Sequence, residues 1–216
     1  ERELKVMEAL EGVNDGLFPR VISSSRENGK LSITMSRVGT HDLNDAMHDI
    51  LIESIPKLFI AMISGIQEMH NRGFVHRDVK PGNFMINNTA RDDCQELAGI
   101  IDFGLSMRIN RKQDEPGALG GTRPYSHPSQ TSRDCKNFRA HPGQDWFALA
   151  RTMAHLLVGG SKDSLTSMIE SGSISSAVGK ALSKAWEGDV PHQLQTLLDF
   201  SFSPASEDVE AVQELE

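Results

Sequence analysis

Cysteine and tyrosine are scarce in this chain: 216 residues hold two Cys and one Tyr. Cys94 and Cys135 lie far apart and in no metal-ligand spacing, which excludes a thiolate cage and makes reduced, non-structural thiols the expectation, with a disulfide between them left open. That usage fits an intracellular compartment, cytoplasmic or nuclear. No stretch approaches the roughly 18 uninterrupted apolar residues of a membrane span, so no membrane partner is expected. Basic residues are in deficit, with 22 Lys plus Arg against 30 Asp plus Glu and a net charge of −8. A phosphate-backbone binder carries the opposite surplus, so nucleic acid is not the expected partner. The start, Glu1-Arg2-Glu3-Leu4-Lys5, has no initiator Met, is no signal peptide and reads as mid-helix, so the chain is expected to be an excerpt. No internal repeat or low-complexity block is present. With 38% hydrophobic and 24% charged residues, the composition is that of one globular unit able to bury a core.

Periodicity supplies the elements. Glu3 to Leu10 carries apolar residues at Leu4, Val6, Met7 and Leu10, the end of an amphipathic helix, broken by Gly12, Asn14, Asp15 and Gly16. Pro19–Ser23 and Leu31–Met35, joined by the polar turn Glu27-Asn28-Gly29, predict a hairpin. Ile55, Leu58, Phe59, Met62, Ile63, Ile66 and Met69 recur at three- and four-residue steps and predict a helix from Ile55 to Asn71, stopped by Gly73. Phe84-Met85-Ile86 and Gly99-Ile100-Ile101 read as short strands, and Trp146 to Val158, apolar nearly all round, as a buried helix. From Ser161 the chain is mostly helical with Gly and Ser breaks, and it ends in an acidic segment with no Lys or Arg after Lys184.

Two motifs carry chemistry. His76-Arg77-Asp78-Val79-Lys80-Pro81-Gly82-Asn83 follows the long helix, and Ile101-Asp102-Phe103-Gly104 follows the second short strand. Singly, an Arg-Asp pair is a surface ion pair and an Asp-Phe-Gly is a turn. Together, in order and behind such a helix, they resemble the catalytic loop and metal-binding turn of protein kinases. The resemblance runs from Glu3 to at least the helix at Trp146; the tail is far less diagnostic. It implies a mainly α fold, a protein-kinase-like large (C-terminal) lobe with short β-hairpins and a small-lobe remnant. Residues 1–52 would be that remnant with the hinge, and 53–216 the large lobe.

The resemblance also implies roles. Phosphoryl transfer needs in-line positioning and charge neutralisation more than covalent help. Asp78 would orient the substrate hydroxyl and take its proton, and Lys80 would steady the γ-phosphate. Asn83 and Asp102 would supply hard oxygen ligands to Mg²⁺ bridging the phosphates of ATP. Gly121-Thr122-Arg123-Pro124-Tyr125 is similar to the substrate-docking segment, with Thr122 bonded toward Asp78 and Lys80. Asp145 would accept hydrogen bonds from the catalytic-loop backbone, and His76 and Phe103 would pack in a hydrophobic spine. Glu3 is the candidate to pair with a phosphate-binding Lys. Met35-Ser36-Arg37-Val38-Gly39 resembles gatekeeper and hinge: Met35 behind the adenine, backbone groups of Ser36 to Val38 facing it, and Met85 beneath it. For each Met the alternative is plain core packing.

Lys80 resembles the serine/threonine-specific kinases, with Ser- or Thr-bearing proteins as substrates. Glu3-Leu4-Lys5 with Glu11-Gly12, Met35 followed by Gly39, and Lys80-Pro81-Gly82-Asn83-Phe84 resemble the casein kinase 1 and tau-tubulin kinase group. Three departures matter. His127-Pro128-Ser129 stands where most kinases have Ala-Pro-Glu, and both that Glu and a late Arg to pair with it are absent, so no buried charge is stranded. Met107 to Gly121 holds no Ser, Thr or Tyr, so activation is expected without phosphorylation there. Asp114 or Glu115 could stand in, and Ser106 and Thr122 are the flanking alternatives. No Gly-rich loop or strand Lys precedes Glu3; both are expected upstream, and the excerpt alone should bind ATP poorly. Arg108, Arg111, Lys112 and Arg123 form a basic cluster, either a solvated loop or a site for acidic or phosphorylated substrates. The competing readings are a pseudokinase scaffold that binds partners without catalysis and a small-molecule phosphotransferase.

Overall fold

A 17-residue helix, α3 (Ile55–Asn71), forms where the three- and four-residue apolar steps place it, and its buried stripe of Leu58, Phe59, Met62, Ile66 and Met69 faces the interior. The computed structural model describes residues 1–13, 16–87, 96–110, 119–131, 139–186 and 189–202. The other long helix is α5 (Pro142–Val158), which lies against α3 and is buried on nearly every side. It begins four residues before the expected Trp146, because Pro142 occupies the first turn and His141 caps it. The His141 Nδ1 accepts from the Gly143 N–H at 3.1 Å while the His141 N–H donates to Gln144 Oε1. A His cap falls outside the usual Ser, Thr, Asp or Asn signal.

Upstream, α1 (Arg2–Ala9) buries Val6 and Met7 and packs beside a two-stranded antiparallel hairpin, β1 (Val21–Glu27) with β2 (Lys30–Met35). A small sheet of order β3 (His41–Asp42), β5 (Phe84–Asn87) and β6 (Glu96–Ile100) follows. The short helix α2 (Leu43–Ala46) leaves β3, capped by Asp42. A second ribbon pairs β4 (Phe74–Val75) with β7 (Met107–Arg108). The remaining helices are α4 (Pro128–Thr131), α6 (Lys162–Glu170), α7 (Ile174–Ala185) and α8 (His192–Phe202). One apolar cluster runs continuously from Val6 through α3 and α5 to Leu198. Among the described residues, no helix is long and apolar enough to cross a membrane.

The sheet positions the site. Phe84 pairs with Ile100, and the Ile101 N–H donates to the Asn83 carbonyl at 3.0 Å, so the end of one motif is stitched to the start of the other. Gly99 permits this: a Cβ there would lie 2.4 Å from Val38 and 2.5 Å from the Leu17 carbonyl. The Cys94, Cys135, Arg111, Lys112, Asp114 and Glu115 expectations and the acidic end lie outside the described residues.

Candidate active site

Asp78 is buried at the end of the turn that follows β4. Its Oδ1 accepts from the Thr122 hydroxyl at 2.7 Å and its Oδ2 from Lys80 Nζ at 2.6 Å. Lys80 Nζ also donates to Thr122 Oγ1 at 3.2 Å, closing a triangle of the three side chains. Asn83 donates its amide to the Asp78 carbonyl at 2.8 Å and, at 3.4 Å, to Asp78 Oδ2. An ionised carboxylate offers about four lone-pair sites. Among the described residues three donors reach this one, which leaves acceptor capacity for about one more hydroxyl beside Thr122 and Lys80.

The backbone from His76 to Asp78 is held at each N–H and carbonyl. The His76 and Arg77 N–H groups each donate to Asp145, at 2.7 Å. The His76 carbonyl accepts from Ser106 Oγ and the Arg77 carbonyl from Gln130 Nε2. The Asp78 N–H donates to His76 Nδ1, and the Asp78 carbonyl accepts from Asn83. His76 Nδ1 is therefore an acceptor, so its Nε2–H donates to the Ile101 carbonyl at 3.1 Å, tying Asp78 to the strand before Asp102. The His76 ring also packs on Phe103, which touches Phe18. This restraint maintains left-handed backbone at two non-glycine residues, Arg77 (φ +70°) and Asp102 (φ +66°). Such conformations persist where the surroundings over-determine them.

Asp145 is fully buried at the start of α5 and receives a third bond, from His70 Nε2 at 2.9 Å. Burial pushes its carboxyl up, but the His70 bond, the electrostatic influence of the His70 and His76 rings and the Arg77 N–H outweigh it and hold the group below its ordinary value. Arg77 is buried with it; its guanidinium donates to Met107 Sδ and the Leu105 carbonyl. Burial pushes the Arg77 pKa down to about 10, with Asp145 opposing and Arg2 adding to the shift, so it stays charged at neutral pH.

The segment after Gly120 is clamped along one stripe of α5. Gln144, Phe147, Arg151 and His155, three or four residues apart, share a face. Gln144 donates to Ser129 Oγ, His127 stacks edge-on against Phe147, Arg151 donates to the Pro124 carbonyl, and the Tyr125 hydroxyl donates to His155 Nδ1 at 2.7 Å. His127 Nδ1 takes the Ser129 N–H and hydroxyl. Hydrogen bonds among His127, Ser129 and Gln144 thus stand at the sequence position where the kinase resemblance implies the acidic half of an ion pair. Burial raises the Tyr125 pKa to about 12.

Asn83, with its amide committed to Asp78, has an Oδ1 that receives no hydrogen bond among the described residues. Asp102 is exposed, and among the described residues its Oδ1 accepts only the Gly104 N–H, at 3.3 Å. Hard oxygens open to a ligand fit Mg²⁺ arriving with a nucleotide. Among the described residues no group of three or more His, Cys, Asp or Glu builds a cage, so a Mg²⁺ held by these two oxygens would draw the rest of its shell from phosphates and water. Ser36 uses its N–H and hydroxyl on Arg20, leaving the Val38 N–H and Ser36 carbonyl without partners among the described residues. Met85 lies against Gly39, where an added Cβ would be 2.7 Å from the Met85 Cβ. Met35 is 38% exposed, so core packing does not account for it. Glu3, half-buried in the first turn of α1, makes no hydrogen bond or ion pair among the described residues. Arg108 lies over Phe74 and Arg123 is exposed. Ser106 is fully buried and spends its hydroxyl on His76, which closes it to modification. Sequence reading had no signal for His70, Ser106 or Gln130 as parts of this site.

A helical and sheet scaffold that places an Asp, a Lys, an Asn and a second Asp in this order has the arrangement expected of the protein kinase class. The sequence matches the family model described as protein kinase domain over residues 1–193, and the chain belongs to that family. It is 36% identical over 109 residues to the probable serine/threonine-protein kinase MARK-A of Dictyostelium discoideum, covering 49% of this chain and 9% of that protein. It is 30% identical over 143 residues to the serine/threonine-protein kinase PknF of Mycobacterium tuberculosis, covering 61% and 28%. It is 30% identical over 133 residues to human beta-adrenergic receptor kinase 1, covering 60% and 18%. The chain thus spans between 9% and 28% of these relatives' lengths. The solved structure of the Cydia pomonella granulovirus kinase PK-1 superposes with a TM-score of 0.64 at 16% identity, over 99% of this chain and 78% of that one, which establishes the likeness of fold.

Proposed function

We propose that this chain carries the catalytic part of a serine/threonine protein kinase that transfers the γ-phosphoryl group of Mg·ATP to a Ser or Thr hydroxyl of a protein. The observation that carries the reading is the remaining acceptor site on Asp78, flanked by Thr122 and Lys80. A substrate hydroxyl donating there is oriented by Asp78, which takes its proton as the oxygen bonds to the γ-phosphorus and the bond to the bridging oxygen of ADP breaks. Lys80 offsets charge on the moving phosphoryl group. Thr122 holds both side chains in register. Asn83 Oδ1 and the Asp102 carboxylate would ligate the Mg²⁺ of the nucleotide, which neutralises phosphate charge. The Val38 N–H and Ser36 carbonyl suit the adenine edge, with Met35 behind the ring and Met85 beneath it, and Glu3 suits a phosphate-binding Lys. Residues 1–52 are read as a small-lobe remnant and 53–216 as the large lobe. Lys80-Pro81-Gly82-Asn83-Phe84 favours a casein kinase 1-like subgroup.

The test is transfer of labelled γ-phosphate from Mg·ATP to casein and to a Ser/Thr peptide library, using the full-length protein beside its Asp78→Asn variant. Transfer by the wild type that falls by roughly a hundredfold or more in the variant supports the reading. A folded full-length protein that labels nothing in a broad library refutes it and favours the scaffold that binds partners without catalysis.

A further inference from the structure

Gln130 is 0% exposed and sits one residue beyond the His127-Pro128-Ser129 sequence, in α4. Its side-chain amide donates to the Arg77 carbonyl at 2.7 Å and, more weakly, to the Gly120 carbonyl at 3.4 Å. Its Oε1 accepts the His127 N–H at 3.3 Å, and its own carbonyl accepts the Gly120 N–H at 2.9 Å. The orientation of the amide is fixed by its partners, because both groups opposite the nitrogen are carbonyls and can only accept. One buried side chain therefore joins the peptide that immediately precedes Asp78 to both ends of the segment carrying Thr122.

We propose that Gln130 is a positioning residue for phosphoryl transfer, acting through the Arg77–Asp78 peptide and the Gly120–His127 segment to set the distance between Asp78 and Thr122. The inference rests on the kinase reading of the site. Three features support it. Arg77 holds left-handed backbone at φ +70°, so the plane of the peptide leading into Asp78 needs an external restraint, and on its carbonyl side Gln130 supplies it. Among the described residues the other backbone anchors of the loop come from α5, the Asp102 side and the loop itself, so Gln130 holds that backbone from the docking side, where Thr122 bonds the side chains of Asp78 and Lys80. Gly121, next in the chain, packs directly between Ser126 and the Arg77 carbonyl: a Cβ there would be 2.6 Å from the one and 3.4 Å from the other. The Gln130 tether at Gly120 therefore acts where the docking segment lies against the Arg77–Asp78 peptide.

Gln130→Met keeps the side chain's volume and removes both donors; Gln130→Glu keeps the acceptor for His127 and loses the donors. For both, in the full-length protein, kcat toward a Ser/Thr peptide should fall about 10- to 100-fold, the scale of a small misplacement of reacting groups, with Mg·ATP affinity by direct titration within about twofold. Amide hydrogen exchange should rise together in residues 76–80 and 119–127 and little elsewhere. Leu182→Ala, in the buried face of α7, is the control for lost stability: it should lower the melting temperature and leave kcat per folded molecule unchanged. The proposal is overturned if Gln130→Met turns over like wild type. It is equally overturned if its exchange rises across the whole chain and kcat merely tracks the folded fraction. A wild type that transfers no phosphate refutes the kinase reading and the catalytic role with it, while paired exchange increases in the two segments would still establish the tether.

Discussion

Replacing Asp145 by Asn changes one atom and should cost the fold heavily. The carboxylate receives the His76 N–H and His70 Nε2 on Oδ2 and the Arg77 N–H on Oδ1, at 2.7, 2.9 and 2.7 Å. An Asn side chain offers one acceptor oxygen and a donor NH₂. In its better orientation the oxygen keeps the two bonds of Oδ2, and the NH₂ then faces the Arg77 N–H, donor against donor. At least one charge-assisted bond is lost, a buried N–H is left unsatisfied, and Arg77 loses a nearby negative charge. Together these amount to roughly 3–5 kcal/mol. That is a large part of the roughly 5–15 kcal/mol stability of a domain, and at about 2–4 °C per kcal/mol it lowers the melting temperature by roughly 6–20 °C. Urea and thermal unfolding of the full-length protein and Asp145→Asn, followed by circular dichroism, measure it. The sign of the pH dependence gives a second check. The folded carboxyl lies below its ordinary 3.8, so its contribution is complete above that value and is lost as pH falls through the lower folded one. The gap between wild type and variant should therefore close below about pH 4. A loss under about 1 kcal/mol at pH 7, or a gap unchanged at pH 3, refutes the assignment of Asp145 as a charged anchor.

Thr122→Val, which removes the hydroxyl that donates to Asp78 and accepts from Lys80, should lower peptide kcat roughly 10- to 100-fold, while Thr122→Ser retains most of it. Steady-state kinetics on both variants decide this. His155 bridges the Tyr125 hydroxyl and the Gly160 carbonyl as a neutral ring, and burial holds its pKa below 6.5. The unfolded chain therefore takes up the proton first, so stability is complete above about pH 6.5 and falls below it until the folded ring also protonates. Unfolding curves from pH 7.5 to 5 should slope accordingly in wild type and flatten in His155→Gln.

The parts of the site that are contiguous in sequence were legible, because the chemistry fixes their spacing: His76 to Asn83 and Asp102 to Gly104 fall where motif and strand pairing agree. Helix α3 was legible end to end, since a 17-residue amphipathic period is hard to mistake. Two-residue strands such as Phe74–Val75 and Met107–Arg108 carry no period and were not. Neither was the true start of α5, where a His serves as cap. Ser106 and Gln130 were illegible for another reason. A buried Ser or Gln is an ordinary residue until folding brings a particular carbonyl to it, and His76 and Arg77 lie 30 and 53 residues away.

Backbone strain separates the enzyme reading from the scaffold. Left-handed backbone at a non-glycine residue costs roughly 1–2 kcal/mol, and both such residues in the two motifs, Arg77 and Asp102, directly adjoin or carry the groups assigned to phosphoryl transfer. The cost at Arg77 is offset by bonds to its N–H and carbonyl from Asp145 and Gln130. That at Asp102 is offset by the Gly104 N–H donating to its Oδ1 and by the packing of Phe103 on His76. A surface used only to hold partners gains nothing from aiming one carboxylate inward at a Lys and a Thr while leaving a second open to solvent. A site that must present a base to a hydroxyl and a hard oxygen to a metal–phosphate complex gains both orientations from those same strained residues.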